Sequence, residues 1–472
     1  MIRLKPLVDL QISCPSCAKE INASGSLMTG MHCMAEMNCS NCGHRYYSEI
    51  PVNAGSFYPG ILDAETGARV DNMPFENWYL NGLVEAYKNR SSEPVALEVQ
   101  VNRAFGDRPV LILNTIDATY GHAVYELFNA SYYLKKKDFD LVILVQKNLQ
   151  WMVPAGAAQV WIADISFSKA VNWFEDLDRQ IKGLLKDVEN VFICRSFVQA
   201  DSHDFNIEDY TRIKPFPLNE WDERLKHPTL TFIWRTDRFW KRVLPRYIDN
   251  RYSRKILPGI LKSLRKKRQF QWMLDFSKKL KEQIPNIDFA IAGMDDRFPA
   301  LPDWIKDFRY PAHDDATAKL QMERYAKSHL VAGCNGSSLL LPGCLSGGVV
   351  NIVPGSMWSV SAGTFSFRIT DIGDTHFRYA MIPDEISIPK LVSIIVSVLR
   401  DRSYIQIQTS APWRDHESGL PPYAPAEFRK KIFGLSEYFP LDKGMISSQR
   451  TLPAVRQAST VPSHAGSTIN QS

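Results

Sequence analysis

The sequence predicts an α/β protein with two domains built on parallel sheets, preceded by a small domain that a metal ion stabilises. Three observations predict it. First, 472 residues are too many for one hydrophobic core. Second, strand and helix patterns alternate along two stretches, separated by a proline-punctuated segment at residues 214–228 that we interpret as a hinge. Third, four cysteines form two C-x2-C pairs near the N-terminus.

The composition narrows the class of protein. Apolar residues make up 45% of the chain and charged residues 23%, which are ordinary values for a globular protein. A formal net charge of +5 is too small by itself to indicate nucleic-acid binding. The opening MIRLKPLVDLQISC has no apolar region of the signal-peptide kind. The longest apolar run, residues 391–399, is far short of the ~20 residues of a membrane span. We therefore expect a cytoplasmic protein.

The first domain, residues 1–60, carries the clearest chemical signal. Two C-x2-C pairs are separated by 21 residues: Cys14 with Cys17, and Cys39 with Cys42. Each pair supplies two thiolates from one tight turn, and the four thiolates complete a tetrahedron around structural Zn²⁺. Cys33 is a spare thiol that could replace Cys39. The segment resembles a zinc ribbon.

Zinc ribbons often bind nucleic acid, but the charge of this one argues against it. Residues 12–47 carry Lys19 and Arg45 against Glu20 and Glu36, so the positive surface that phosphates need is missing. We expect no nucleic-acid partner, and a role in structure or in docking another protein. Residues 61–104 are predicted to be a linker that contains a helix.

The second domain, residues 105–225, carries two candidate residues for proton transfer. Its first strand is the apolar run VLILNTI, and a loop from Asp117 to His122 then leads into an amphipathic helix. Further strands are predicted at residues 141–145, 159–162 and 191–194, and a helix at 168–185. The unperturbed pKa of histidine, near ~6.5, suits His122 for proton transfer, and Asp117 is the rival. The alternative role for either residue is helix capping.

The third domain, residues 226–440, repeats the alternation. Strands are predicted at residues 230–234, 288–292, 329–332 and 349–353, and helices at 270–283, 320–327 and 389–399. Ligands of such sheets bind beyond the carboxyl ends of the strands. Residues 235–238, 293–295 and 333–338 all follow strands there.

The turn at residues 333–338 is predicted to bind phosphate. Its small residues lead into a helix whose first turn holds Pro342, so that backbone N–H groups are open to an anion. Arg235 and Arg238 can add charge-assisted hydrogen bonds. The alternatives are an ordinary crossover with a glycine turn, an ion pair between Arg235 and Asp237, and a plain helix cap at Ser337.

Two Rossmann-like halves joined by a proline-rich hinge resemble the GT-B class of glycosyltransferases, in which the two domains face a cleft. The resemblance covers roughly residues 105–440 and is carried by WRTDRFW, AIAGMDD and VAGCNGSSLLLPGCLSGGVVNIVP. It implies a nucleotide-sugar donor in the C-terminal half and a glycan or lipid-linked acceptor in the N-terminal half. The E-x7-E pair of one retaining group is not found, which favours metal-independent inverting transfer. The residues expected to bind the donor are Arg235, Arg238, Gly293, Tyr310, Asn335, Gly336, Ser337 and Ser338.

Other functions compete with this one. A pyruvyl transferase or a sugar epimerase could use the same architecture, and an inactive zinc-ribbon scaffold is a third hypothesis. The segment at residues 235–268 holds 13 Lys or Arg against Asp237 and Asp249, which predicts peripheral association with anionic membranes or merely a solvated helix face. From residue 441 onward few large apolar side chains remain, and we predict a disordered tail.

Overall fold

The computed structural model describes residues 1–56, 58–71, 78–196, 206–236, 238, 240, 258–295, 300–311, 315–334, 336–354 and 379–400. These residues all belong to one compact unit, Met1–Ala411. The tail predicted from residue 441 lies outside the described residues, and so do residues 241–257 of the basic segment. Within the described residues, no helix is both long and apolar enough to cross a bilayer.

The chain forms seventeen strands and ten α-helices within the described residues. The strands are β1 (Ile2–Lys5), β2 (Gln11–Ser13), β3 (Glu20–Met28), β4 (Cys33–Asn38), β5 (Arg45–Glu49), β6 (Ile61–Asp63), β7 (Leu97–Val101), β8 (Val110–Asn114), β9 (Asp140–Gln146), β10 (Gln159–Ala163), β11 (Val191–Ile193), β12 (Thr229–Trp234), β13 (Asp288–Met294), β14 (Ile305–Tyr310), β15 (Leu330–Cys334), β16 (Val349–Val353) and β17 (Tyr379–Pro383). The helices are α1 (Trp78–Lys88), α2 (Tyr120–Phe128), α3 (Ala130–Leu134), α4 (Glu175–Leu184), α5 (Ile207–Thr211), α6 (Trp221–Arg224), α7 (Pro258–Gln283), α8 (Asp315–Ala326), α9 (Leu340–Leu345) and α10 (Ile388–Arg400).

The first six-stranded sheet has the order β1-β11-β8-β9-β10-β7. Its four central strands are parallel, and β1 and β7 pair antiparallel at the two edges. Every residue of β8 and β9 is buried, as expected for strands covered on both faces. Because β8 lies between β9 and β11, the strand order reverses at its carboxyl end, beside Asn114.

The second six-stranded sheet is parallel throughout and has the order β14-β13-β12-β15-β16-β17. Counted within this half, the order is 3-2-1-4-5-6, which is the order of doubly wound nucleotide-binding sheets. Its strand order reverses between β12 and β15. The prediction of an α/β protein is confirmed.

Some elements differ from the predictions because tertiary contacts replace local ones. The helix predicted from residue 168 begins only at Glu175. Before it, Met31 N donates to Ala170 O at 3.3 Å and Phe174 N donates to Thr29 O at 2.9 Å. The backbone of that segment therefore bonds to the ribbon instead of continuing a helix. The edge strands β1, β7 and β17 were not predicted, since short edge strands lack a long apolar run.

The N-terminal ribbon is an antiparallel five-stranded sheet of order β2-β3-β4-β5-β6. It packs directly on the first α/β sheet: Cys33, Ala35 and Ile50 share one apolar core with Ile112 and Trp161. Asn114 Nδ2, at the end of β8, donates to Gly30 O at 2.9 Å. The ribbon is therefore held by a common core and by a hydrogen bond at the carboxyl end of β8.

The two α/β halves also share an apolar core. Val124 and Leu127 of α2 belong to one buried cluster with Tyr325, Leu339 and Leu341 of the second half. This contact fixes the loop before α2 against the turn after β15.

The segment predicted as a hinge, residues 214–228, packs onto the second half. Phe216 N donates to Leu345 O at 2.7 Å, and Trp221 is fully buried against the ring of His329. It is therefore anchored by packed aromatic side chains as well as by its prolines.

Candidate functional site

The four predicted ribbon cysteines come together. Their Sγ atoms all lie within 4.8 Å of one another, with 3.6 Å between Cys14 and Cys42 and 3.6 Å between Cys17 and Cys39. Thiolates at about 2.3 Å from a tetrahedral Zn²⁺ would be ~3.8 Å apart. A disulfide needs about 2.05 Å. The cluster can therefore hold a metal ion such as zinc, and the prediction is confirmed at that level.

The backbone of the first knuckle favours thiolate. Burial raises the pKa of Cys14, but backbone N–H groups of Cys17 and Ser16 outweigh it and lower that pKa to about 6. Cys33, the spare thiol, lies elsewhere: it is fully buried in the core, where Asn114 Nδ2 donates to its Sγ at 3.3 Å. Burial raises the pKa of Cys33 to about 12. It is a core residue and not part of the cluster.

The predicted phosphate-binding residues converge at the reversal point of the second sheet. Arg235 follows β12, and its Nη1 donates to Ser338 Oγ at 2.8 Å. Gly336 has φ +139°, and a β-carbon there would lie 2.7 Å from Arg235 Nη1 and 2.9 Å from Arg238 Nη1. Both guanidinium groups therefore lie close against Gly336, and a side chain at this position would push them away. Two cations at one turn, beside serine hydroxyls, make a site suited to an anion.

Other predicted donor residues lie farther along the sheet or outside the described chain. Gly293 is inside β13, paired with Trp234 and Arg309, and its carbonyl accepts from Gln321 Nε2 at 3.1 Å. This is a strand-packing role. Tyr310 ends the edge strand β14, two strands from β12. Asn335 and Asp237 lie outside the described residues.

The helix after the turn is shorter than the phosphate prediction requires. Residues Ser337–Leu339 form one 3₁₀ turn, and α9 has only six residues. A helix this short has a weak dipole, so the positive potential of the site comes from Arg235 and Arg238.

Asp117, in the loop after β8, faces His122 in the first turn of α2. His122 Nδ1 lies 3.4 Å from Asp117 Oδ1, which is too long for an aligned hydrogen bond in this state. Asp117 is buried and accepts a hydrogen bond from Thr119 N at 2.6 Å, whereas the His122 side chain is 34% exposed. A carboxylate in this position could orient the imidazole if the two groups moved closer, as they do in many enzymes when a substrate binds.

The two groups of residues meet across the shared core. A β-carbon at Gly121 would lie 2.5 Å from Ser337 Cβ, so only glycine allows this approach. Gly121 precedes His122, and Ser337 precedes Ser338, the partner of Arg235. The first turn of α2, which carries His122, therefore lies directly beside the turn at residues 336–338. The sequence could suggest this approach only through the fold that it resembles.

Sequence reasoning missed Glu126, four residues after His122 on α2. The residue is fully buried, and neither carboxyl oxygen has a hydrogen-bond partner in the described part of the chain. Burial and the neighbouring Asp117 charge raise the pKa of Glu126 well above its usual range. The signal was present, because Glu126 is the one acidic residue of α2, whose other long side chains are mostly apolar or aromatic.

Glu126→Gln is expected to stabilise the protein at alkaline pH. The folded-state pKa is raised, so above the unfolded pKa the folded state holds an extra proton. Stability then falls with rising pH, by at most ~1.4 kcal/mol per unit. The variant lacks this loss, so its stability relative to the wild type should rise with pH above the ordinary glutamate pKa of about 4.3, with the difference vanishing towards pH 4. Urea unfolding across pH measures it. Glu85→Gln, at an exposed side chain, is the control, and an equal slope in both variants would contradict the expectation.

A second missed group is a buried polar cluster between the ribbon and the first α/β sheet. His32 Nδ1 lies 3.4 Å from Glu49 Oε1, and the Tyr79 hydroxyl donates to Glu49 and, at 3.2 Å, to Asn53 Oδ1. Burial and then the Glu49 charge raise the pKa of Tyr79. These residues are spread over almost fifty positions, so no local sequence pattern predicts that they form a cluster.

No family model matches this chain, and no curated protein matches it. Among solved structures, fructuronate-tagaturonate epimerase UxaE from Cohnella laeviribosi is similar at 12% sequence identity, over 88% of this chain and 91% of that one. The TM-score is 0.10, so this likeness does not support a shared fold or function. What the site can do follows from its own geometry.

Proposed function

We propose that this chain is a glycosyltransferase that moves a sugar from a nucleotide-sugar to a glycan or lipid-linked acceptor. The observation that carries the proposal is the close approach of two segments: Gly121, next to His122, lies against Ser337, in the turn that Arg235 and Arg238 contact. Both segments lie at reversal points of the two six-stranded sheets, where ligands of open α/β sheets bind.

The arginine side of the site suits the donor diphosphate. Cleavage of a nucleotide-sugar leaves negative charge on the departing diphosphate, and preorganised cations stabilise that charge as it develops. Arg235 is held by Ser338, so its guanidinium is oriented before the donor binds. Two arginines can take the charge that a divalent ion takes in other transferases.

The histidine side suits the acceptor. An inverting transfer needs a base that takes the proton of the attacking hydroxyl. Asp117 faces Nδ1 of His122, which leaves Nε2 of the same ring to accept a proton from the acceptor. The alternative hypotheses use the same anion site differently: a pyruvyl transferase would take another group donor, and a sugar epimerase would need no second substrate.

The test separates donor binding from chemistry. Arg235→Ala should weaken the affinity for UDP, GDP or ADP, whichever the wild type binds, roughly tenfold to a hundredfold, because one charge-assisted phosphate contact is lost. Isothermal titration calorimetry measures it. Arg268→Ala, which removes an exposed guanidinium stacked over Trp272, is the matched control and should bind as the wild type does.

Two kinds of result would contradict the proposal, one concerning the anion site and the other concerning the transfer reaction. If Arg235→Ala binds nucleotide as tightly as the wild type, or if no nucleotide diphosphate binds at all, the anion site is wrongly assigned. If nucleotides bind but no nucleotide-sugar turns over with any glycan acceptor, the fold-sharing alternatives take precedence.

A further inference from the structure

A pocket of about 440 Å³ opens between the ribbon and the first α/β half, built by different residues from the site above. The ribbon contributes Arg45 and Tyr47 from β5, and the α/β half contributes Tyr87, Trp173 and the first turn of α4. Its volume is in the range of small-molecule sites. None of its lining residues belongs to the anion site or to the His122 pair.

Three aromatic rings form one side of the pocket. The ring centroids of Tyr47 and Tyr87 are 5.5 Å apart, those of Tyr47 and Trp173 are 5.5 Å apart, and those of Tyr87 and Trp173 are 5.2 Å apart. Tyr87 and Trp173 are almost fully buried and Tyr47 is half-buried. Tyr47 is therefore the ring that is open to a ligand. It packs on two rings that are fixed by burial and, for Tyr87, by the hydrogen bond from its hydroxyl to Ala64 O at 2.7 Å.

The other side of the pocket is charged but balanced. Arg45 and Arg90 face Glu175 and Asp178, so the formal charges cancel. Arg90 Nε lies 3.6 Å from Glu175 Oε1, and both side chains are about half exposed. The Arg90 guanidinium also lies 4.5 Å above the Tyr87 ring, which holds it at the mouth. Such a pocket attracts neither a polyanion nor a bare cation.

We propose that this pocket is a carbohydrate-binding site for a neutral oligosaccharide. A sugar ring has an apolar C–H face, which packs on an exposed aromatic ring such as Tyr47, and an edge of hydroxyls, each of which both donates and accepts. The Arg90 guanidinium beside the Glu175 carboxylate offers paired donors next to paired acceptors, which suits neighbouring hydroxyls on one ring. Because Tyr47 is held by the two buried rings, it loses little entropy when a ligand binds.

The inference goes beyond the proposed transfer reaction, because sugar binding here needs no donor and no base. The ribbon segment that follows β3 connects the two places. Thr29 lines the pocket, and the next residue, Gly30, accepts the hydrogen bond from Asn114 at the carboxyl end of β8. A glycan held in the pocket therefore lies on the side of the ribbon that packs against the domain bearing His122.

Saturation-transfer NMR and calorimetry with maltotriose, cellotriose, mannotriose and chitotriose, in the absence of nucleotide, test the site. We expect one or more to bind the full chain, and Arg90→Ala and Tyr47→Ala to weaken that affinity about tenfold or more. Arg90 is half exposed, so its variant keeps the test valid if Tyr47→Ala does not fold.

Arg224→Ala is a closely matched control, because Arg224 also lies over an aromatic ring, that of Phe216, and pairs with a half-exposed glutamate, Glu220. It should bind the sugar as the wild type does. The proposal is overturned if none of the four trisaccharides binds at millimolar concentration, or if Arg90→Ala binds as tightly as Arg224→Ala. Nucleotide affinity measured on Arg90→Ala stays unchanged in either case, so this outcome is separate from that of the transfer reaction.

Discussion

We expect His122→Ala to lower kcat by about 10²–10⁴ and to leave the affinity for the free nucleotide diphosphate unchanged. The reason is the division of the proposed site: His122 faces Asp117 on the first half, whereas the proposed anion contacts come from Arg235 and Arg238 on the second. Turnover of the complete nucleotide-sugar measures the loss, and calorimetry with the nucleotide alone measures the affinity.

Asp117→Asn distinguishes a base from a structural histidine. The amide keeps the shape of the loop but removes the charge that orients and stabilises the imidazolium, so kcat should fall while the fold is retained. If His122→Ala abolishes nucleotide binding while Arg235→Ala keeps it, donor and acceptor halves are exchanged. If neither changes turnover, this cleft is not the active site.

We expect the wild type to bind zinc at one equivalent per chain, and Cys39→Ser to lose it and to lower the thermal stability of the whole described unit. Structural zinc contributes directly to the folding free energy of small domains. Here the ribbon shares its core with the first α/β sheet, through Cys33, Ala35, Ile112 and neighbours, so its loss exposes that face of the sheet as well.

Metal analysis and a melting curve measure the two effects. Cys344→Ser, at a half-buried thiol far along the chain, is the control and should keep the zinc. Cys33→Ala should also keep the zinc, although it leaves a small cavity in the core. Zinc retained in Cys39→Ser together with zinc lost in Cys33→Ala would mean that Cys33 is the fourth ligand.

Much of this architecture can be predicted from the sequence, because buried parallel strands have continuous apolar sequences. The runs at Val110–Asn114 and Val349–Val353 are examples, and the cysteine spacing locates the metal cluster by itself. What could not be predicted depends on contacts between distant segments. Examples are the approach of Gly121 to Ser337 and the aromatic pocket between the ribbon and the helices. Another is the set of backbone hydrogen bonds to the ribbon, because of which α4 begins only at Glu175.

The position of β1 determines how this protein can be truncated. The strand precedes the ribbon in the chain, yet it pairs with β11, Ile2 opposite Ile193, and closes one edge of the first α/β sheet. The ribbon is thus an insertion, tethered to the sheet at both of its ends. Deleting the ribbon together with the first residues would remove the edge strand β1. The edge of β11 would then be exposed and could pair with another chain and aggregate. An excision that spares Ile2–Lys5 and rejoins the chain beyond the ribbon preserves that border.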